Sequence, residues 1–176
     1  MMLVCLPIII QACSQVYITN ISKPLDPIHY STISNAYKIQ CNDSVQVFGY
    51  LKEYYDESYK SSTYFLSQYQ DNFNEVLSKG MTAPNPIKKY VIKTSNFKIY
   101  PIEVREGKYS TEYCRVSVHF IVVDSTNNET LTEFDALGDA NIGTLVYGSI
   151  NSSIRKAMNS SIEHATEYLK KGIIKF

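Results

Sequence analysis

The sequence predicts an α+β domain: one mostly antiparallel sheet with two helices packed on one face. Two stretches, from about Tyr59 to Gly80 and from Gly143 to about Lys171, repeat apolar residues every three to four positions. Between them lie runs in which β-branched and aromatic residues alternate with polar ones. Helical and strand periods are thus segregated along the chain, as in α+β domains, instead of alternating as in a parallel sheet.

The elements follow in order. Ala36 to Cys41 and Val45 to Leu51, separated by Asn42-Asp43, read as a first pair of strands. In the first helix Phe65, Tyr69, Phe73, Val76 and Leu77 share a stripe; Ser58 or Ser61 can cap its start, and Lys79-Gly80 supplies the charge and the left-handed residue that end a helix. Ala83-Pro84-Asn85-Pro86 forbids more helix and leads into Ile87 to Thr94, and Phe97 to Val104 continues extended, with Pro101 directing it to a sheet edge or a bend.

Arg115 to Asp124 is the clearest strand, with Val116, Val118, Phe120 and Val122 on one face and Ser117, His119, Ile121 and Val123 on the other, so that both faces are at least partly covered. Ser125-Thr126-Asn127-Asn128 is a turn, and Thr130 to Asp135 returns as the hairpin partner. Gly138 to Gly143 is expected to be a flexible connector into the second helix, whose stripe is Val146, Ile150, Ile154, Ala157, Ile162, Ala165 and Leu169. Glu167 and Lys171 form an i,i+4 pair near its end, and the tail Ile173, Ile174 and Phe176 is expected to add a short extended piece.

With 176 residues, 44 % apolar and 12 % aromatic, the chain can build one core. Seventeen basic and seventeen acidic residues cancel, leaving no global field to draw the protein onto nucleic acid, so no nucleic-acid partner is expected. Charge is uneven locally: Asp43 to Glu75 holds six acids and two bases, and Lys88 to Lys108 six bases and two acids. On opposite faces these would make a dipolar domain that steers a partner or self-association; otherwise they neutralise one another across the fold.

The N-terminus points to a compartment. Met1 to Ala12 carries no charge and contains Leu3, Val4, Cys5, Leu6, Ile8, Ile9 and Ile10, interrupted by Pro7. This run is shorter than the roughly 20 residues of a spanning helix but has the length of an export-signal core, and the small Ala12 precedes Cys13. The other reading of the same run is a buried first strand of an intracellular protein. Ile10-Gln11-Ala12-Cys13 resembles a bacterial lipobox, with a branched apolar residue three positions before a cysteine and a small one directly before it. Gln11 is unusual at its place, and no Lys or Arg precedes the run.

The resemblance to small Gram-negative lipoproteins with a periplasmic α+β domain extends to the order of strands and helices. It implies that Met1 to Ala12 is a signal peptide, that Cys13 is lipidated and becomes the new N-terminus, and that acyl chains attach the protein to a membrane. Ser14 then resembles the residue that permits passage to the outer membrane, which implies a location on its periplasmic side. Residues 13–35, polar and broken by Pro24 and Pro27, read as the lipidated N-terminus and a flexible tether, and residues 36–176 as a single α+β domain. Under this reading Cys41 and Cys114 remain as one pair in an oxidising compartment. A disulfide between them, each inside a strand-like stretch, is one expectation, and two separately buried thiols the other.

No constellation names a reaction. His29, His119 and His164 lie in tether, strand and helix with no metal-ligand spacing, so no metal and no cofactor is expected. No Gly-x-Ser-x-Gly elbow supports a serine nucleophile. Gly138 to Gly143 lacks the Lys-Ser/Thr of a phosphate loop, and Asp124, Asn127, Asn128 and Glu129 lack the spacing and glycine of a calcium loop. Tyr50, Tyr54, Tyr55, Tyr59, Tyr64 and Tyr69 crowd the first helix and would suit a sugar or protein surface, although half-buried core positions explain them as well. Asn20, Asn42, Asn128, Asn151 and Asn159 stand in glycosylation sequons, two of them within the expected second helix.

The expected function is therefore non-catalytic: a lipid-anchored periplasmic domain with an interaction or envelope-assembly role and an envelope-protein partner. The alternatives are a small exported hydrolase with a site near His119, a secreted glycoprotein binding domain, and a cytosolic binding domain.

Overall fold

A computed structural model describes residues 18–19, 33–34, 40–41, 45–53, 62–80, 82–83, 90–143 and 147–173. The strands are β1 (Ile18–Thr19), β2 (Ile33–Ser34), β3 (Gln40–Cys41), β4 (Gln46–Val47), β5 (Thr82–Ala83), β6 (Tyr90–Glu106), β7 (Tyr109–Asp124) and β8 (Thr130–Asn141). Two long helices accompany them, α1 (Ser62–Gly80) and α2 (Tyr147–Ile173). The fold is α+β, as the periods predict.

The main sheet has the order β1-β8-β7-β6-β3, with β4 also on β6. Pairing is antiparallel from β1 to β6, whereas β3 and β4 join β6 in parallel. The residues expected to pair as a first hairpin instead lie end to end along one edge of β6, opposite Lys93–Thr94 and Lys98–Ile99. Gly49 turns the chain at φ +63°, and residues 51–53 are helical, so Leu51 is buried outside any strand. The expected tether is also partly structured: Ile18 and Thr19 pair with Ala136 and Asp135, and Ile33 and Ser34 pair with Thr82 and Ala83. Strands of two residues carry no period, so the sequence alone cannot announce them.

The two extended runs around residue 95 are one strand, made continuous by a bulge. Ser95 lies opposite His119 and Lys98 opposite Ser117, so one extra residue is accommodated between them. Asn96 takes it up at φ 52°, a conformation Asn tolerates better than most side chains. The bulge resets the alternation: Ile92 and Thr94 before it and Phe97 and Ile99 after it all face the helices and are buried. Asn96→Ala is expected to cost about 1 kcal/mol in denaturant unfolding, and Asn96→Gly less, because only glycine keeps that φ without steric cost.

Both helices lie on the same face. Along α1, Phe65, Tyr69, Phe73 and Leu77 recur every four residues and are buried. Along α2, Ile150, Ile154, Ala157, Met158, Ile162, Ala165 and Leu169 share one buried stripe at helical spacing. A chain of rings crosses the core: Tyr69 meets Phe97 edge-on at 5.0 Å, Phe73 lies 5.4 Å from Phe120, Phe120 stacks on Phe134 at 5.1 Å, and Phe134 meets Tyr168 at 4.4 Å. One buried polar node links three elements. The Ser161 hydroxyl donates to the Ala136 carbonyl at 3.2 Å, which leaves the Tyr69 hydroxyl to donate to Ser161 Oγ at 3.1 Å.

The expected flexible connector is mostly strand. β8 continues through Gly138, Asp139, Ala140 and Asn141, paired with Val116, Arg115, Cys114 and Tyr113. A Cβ on Gly138 would stand 2.0 Å from the Ala157 carbonyl oxygen and 2.2 Å from the Ser161 nitrogen. The glycine there is a contact surface for α2, not a hinge. Gly172 and Ile173 end α2 instead of forming an extended tail, and residues 174–176 lie outside the described residues. The turn after β7 is as expected: the Asp124 carboxylate accepts from the Thr126 amide at 2.8 Å, and Asn128 sits at φ 58°.

Candidate functional site: the open face of the sheet

Strand alternation places every second residue of β6, β7 and β8 on the face away from the helices. On β8 these are Glu133, Asp135, Leu137 and Asp139, each half-buried, between the buried Thr132, Phe134, Ala136, Gly138 and Ala140. On β7 they are Tyr113, Arg115, Ser117, His119 and Ile121, and on β6 Lys93, Ser95, Lys98 and Tyr100. Among the described residues no helix packs on this face, which carries the sheet's chemistry in three parallel rows.

Two side-chain pairs bind the rows together. The Arg115 guanidinium donates to both Asp139 carboxylate oxygens, at 2.7 and 2.6 Å, the two-pronged geometry in which such pairs are strongest. Hydrogen bonding to Asp139 holds Arg115 still more firmly in its charged form. Four residues along β7, His119 Nδ1 lies 2.6 Å from Asp135 Oδ1, and its Nε2 lies 3.6 Å from Glu133 Oε2. Asp139 and Asp135 are the residues directly across from Arg115 and His119, so the ladder register itself makes both contacts.

The register also sets Ser95, His119 and Asp135 in one row across β6, β7 and β8. This has the composition of a nucleophilic triad, but the second imidazole nitrogen faces the Glu133 carboxylate and the row lies on an open pleated surface. His164, by contrast, is structural: its Nδ1 lies 2.8 Å from the Leu137 carbonyl, to which it donates, tying α2 to β8.

The sequence-derived site residues are distributed as follows. Cys13, and with it the expected signal peptide and the expected lipidation site, lies outside the described residues. Cys41 is in β3 beside Thr94, and Cys114 is in β7 beside Pro101. The expected bridge between them is not formed: Cys114 is a free, fully buried thiol. Six residues of β6 separate the two positions, about 20 Å along the strand, against a disulfide reach of about 6 Å between Cα atoms. The other expectation, a separately buried thiol, is what Cys114 shows.

Burial, aided by the nearby Asp139 carboxylate, pushes the Cys114 thiol up from 9.0 to about 12. The unfolded chain then loses this proton first, so the thiol's contribution to stability is complete below about pH 9 and is lost as the pH rises toward about 12. Denaturant titrations across that range should show a fall in stability that is shallower in Cys114→Ala. Of the expected tyrosine surface, Tyr69 is core, buried and bonded to Ser161, while the Tyr50 hydroxyl donates to Glu112 at 2.8 Å. The side chains of Tyr54, Tyr55, Tyr59 and Tyr64 lie outside the described residues.

Arg115, Asp135, Asp139 and Glu133 are not marked as a site by the sequence alone. The available signal was the presence of ionisable residues in alternation on two strands of one hairpin, but pairing them requires the register.

No protein family matches the chain, and no curated protein matches it in sequence. Among solved structures it is similar to a Xanthomonas campestris protein of the DUF330 family, with a TM-score of 0.50 and 11 % identity over 85 % of this chain and 91 % of that one. It is also similar to a minor lipoprotein from Acinetobacter baumannii, with a TM-score of 0.41 and 11 % identity over 81 % of this chain and 91 % of that one. At such identities the Xanthomonas likeness is one of fold: the chain shares its α+β architecture with that bacterial protein.

Proposed function

We propose that this chain is a lipid-anchored periplasmic domain, held at the outer membrane through Cys13, with a non-catalytic interaction or envelope-assembly role. The observation that carries the reading is Ile10-Gln11-Ala12-Cys13 at the end of an uncharged apolar run, followed by Ser14. The fold adds a constraint on the attachment. Four residues separate Cys13 from β1, and they reach at most about 18 Å, so an acyl group on Cys13 holds the β8 side of the sheet close to the leaflet. Each buried methylene of the acyl chains contributes about 0.8 kcal/mol, and several chains make the attachment durable.

The test is labelled palmitate in cells carrying wild type or Cys13→Ser, with inner and outer membranes separated. Label in the wild type alone and recovery of the protein with outer membranes support the reading. Equal labelling, or a wild type that stays in the soluble fraction, overturns it.

A second reading, an exported hydrolase, is favoured only by the Ser95, His119 and Asp135 row. A fluorophosphonate probe that labelled wild type and spared Ser95→Ala would establish it; the geometry at Glu133 predicts no labelling.

A further inference from the structure

The open face is striped by charge. β6 presents Lys93 and Lys98; β8 presents Glu133, Asp135 and Asp139; β7 lies between them. Among the described residues neither lysine forms an ion pair. Measured along the strands, the stripes are in step. Lys93 and Glu133 are both opposite Ile121, at one level, and Lys98 is opposite Ser117, midway between the levels of Asp135 at His119 and Asp139 at Arg115.

Such a face is complementary to itself under one operation. A two-fold axis running along β7, in the plane between two stacked sheets, exchanges the left and right sides of the face and preserves the level along the strand. It lays β8 of one copy over β6 of the other and β7 over β7, where Arg115 faces the partner's Arg115 with each guanidinium already neutralised by the Asp139 of its own chain. Lys93 then meets the partner's Glu133, and Lys98 falls between the partner's Asp135 and the partner's Asp139. A two-fold axis across the strands would instead lay β8 over β8, acid on acid. Aligned packing of two sheets, with strands within about 30° of one another, is a common way for such faces to meet.

The extent of the face is also adequate. From Tyr113 to Val123 the three rows run roughly 35 Å by 15 Å, on the order of 500 Å² per copy before side-chain relief is counted. Two copies bury on the order of 1,000 Å², the lower bound for a specific interface. From these stripes we infer that the open sheet face is a homodimer interface, with the symmetry axis along β7 and Lys93 paired to the partner's Glu133. The inference stands apart from lipidation, since it uses only residues of the sheet.

Charge reversal separates this from misfolding. The full chain is purified in a non-ionic detergent, and the mass of its protein component is measured by light scattering, with circular dichroism as a control on folding. Wild type is expected at twice the monomer mass. Lys93→Glu sets acid against acid twice across the interface, and Glu133→Lys sets base against base twice, so each variant alone should raise the dimer dissociation constant by about a hundredfold or more. Mixing the two variants restores both pairs, Glu on Lys and Lys on Glu, and the mixture should return to the dimer mass. A monomeric wild type, single variants that remain dimeric, or a mixture that stays monomeric would each overturn the inference.

Discussion

Gly138→Ala is expected to lower stability by about 3 kcal/mol, the upper end of the overpacking range, and to lower Tm by roughly 10 °C. The added methyl has nowhere to go. It would meet the Ala157 carbonyl oxygen at 2.0 Å and the Ser161 nitrogen at 2.2 Å, both backbone atoms of α2. Side-chain rotation cannot relieve a clash with backbone, so α2 must shift away from β8. That shift strains the Ser161 bond to the Ala136 carbonyl and the His164 bond to the Leu137 carbonyl.

Two companions sharpen the result, read by thermal and urea unfolding. Ala157→Gly should fail to rescue Gly138→Ala, because the obstructing atom is the carbonyl and not the methyl. Gly107→Ala, at φ +63° in the β6–β7 turn but with no atom within 4 Å of the added carbon, should cost only the left-handed penalty of about 1–2 kcal/mol.

Phe120→Ala should cost about 3–5 kcal/mol. Phe120 lies between the Phe73 ring of α1 and the Phe134 ring of β8. Phe73 lies 5.4 Å away on one side, Phe134 stacks at 5.1 Å with only 6° between planes on the other, and Phe120 itself is fully buried. Truncation removes these two ring contacts and a third, to Tyr69 at 6.5 Å, and leaves a cavity bounded by sheet and helix, which can collapse only in part. Phe120→Leu should cost less, since it keeps much of the volume. A double-mutant cycle with Phe134→Leu should return a coupling of about 0.5–1.5 kcal/mol for the stacked pair.

Much of this architecture was legible in the chain. Phe65, Tyr69, Phe73 and Leu77 mark α1 because a helix with one buried stripe needs apolar residues at that spacing, and Val116, Val118, Phe120 and Val122 mark β7 for the corresponding reason with period two. What stayed hidden depends on contacts with distant residues. β8 beyond Asp135 contains Gly138, Asp139 and Ala140, which read as a connector until α2 is seen to need a strand without bulk there. β6 looked like two segments because the extra residue at Asn96 breaks the alternation that the bulge restores.

The candidate site was the least legible part. Arg115 with Asp139 and His119 with Asp135 are separated by 24 and 16 residues, and only the pairing register brings them together. The bridge between Cys41 and Cys114 failed for the same reason: two cysteines in strands say nothing of how far apart along the sheet those strands place them. The N-terminal features need no register, since the proposed processing and acylation would be read from the local sequence, and so the proposed function rests on Ile10 to Cys13 more than on the sheet.

The most direct test is the intact mass of the protein isolated from native membranes. The account predicts a chain that starts at Cys13 and carries the added mass of a diacylglyceryl group, with or without a further acyl chain on the new amino group. A mature chain that begins at Met1 with no added mass would contradict it.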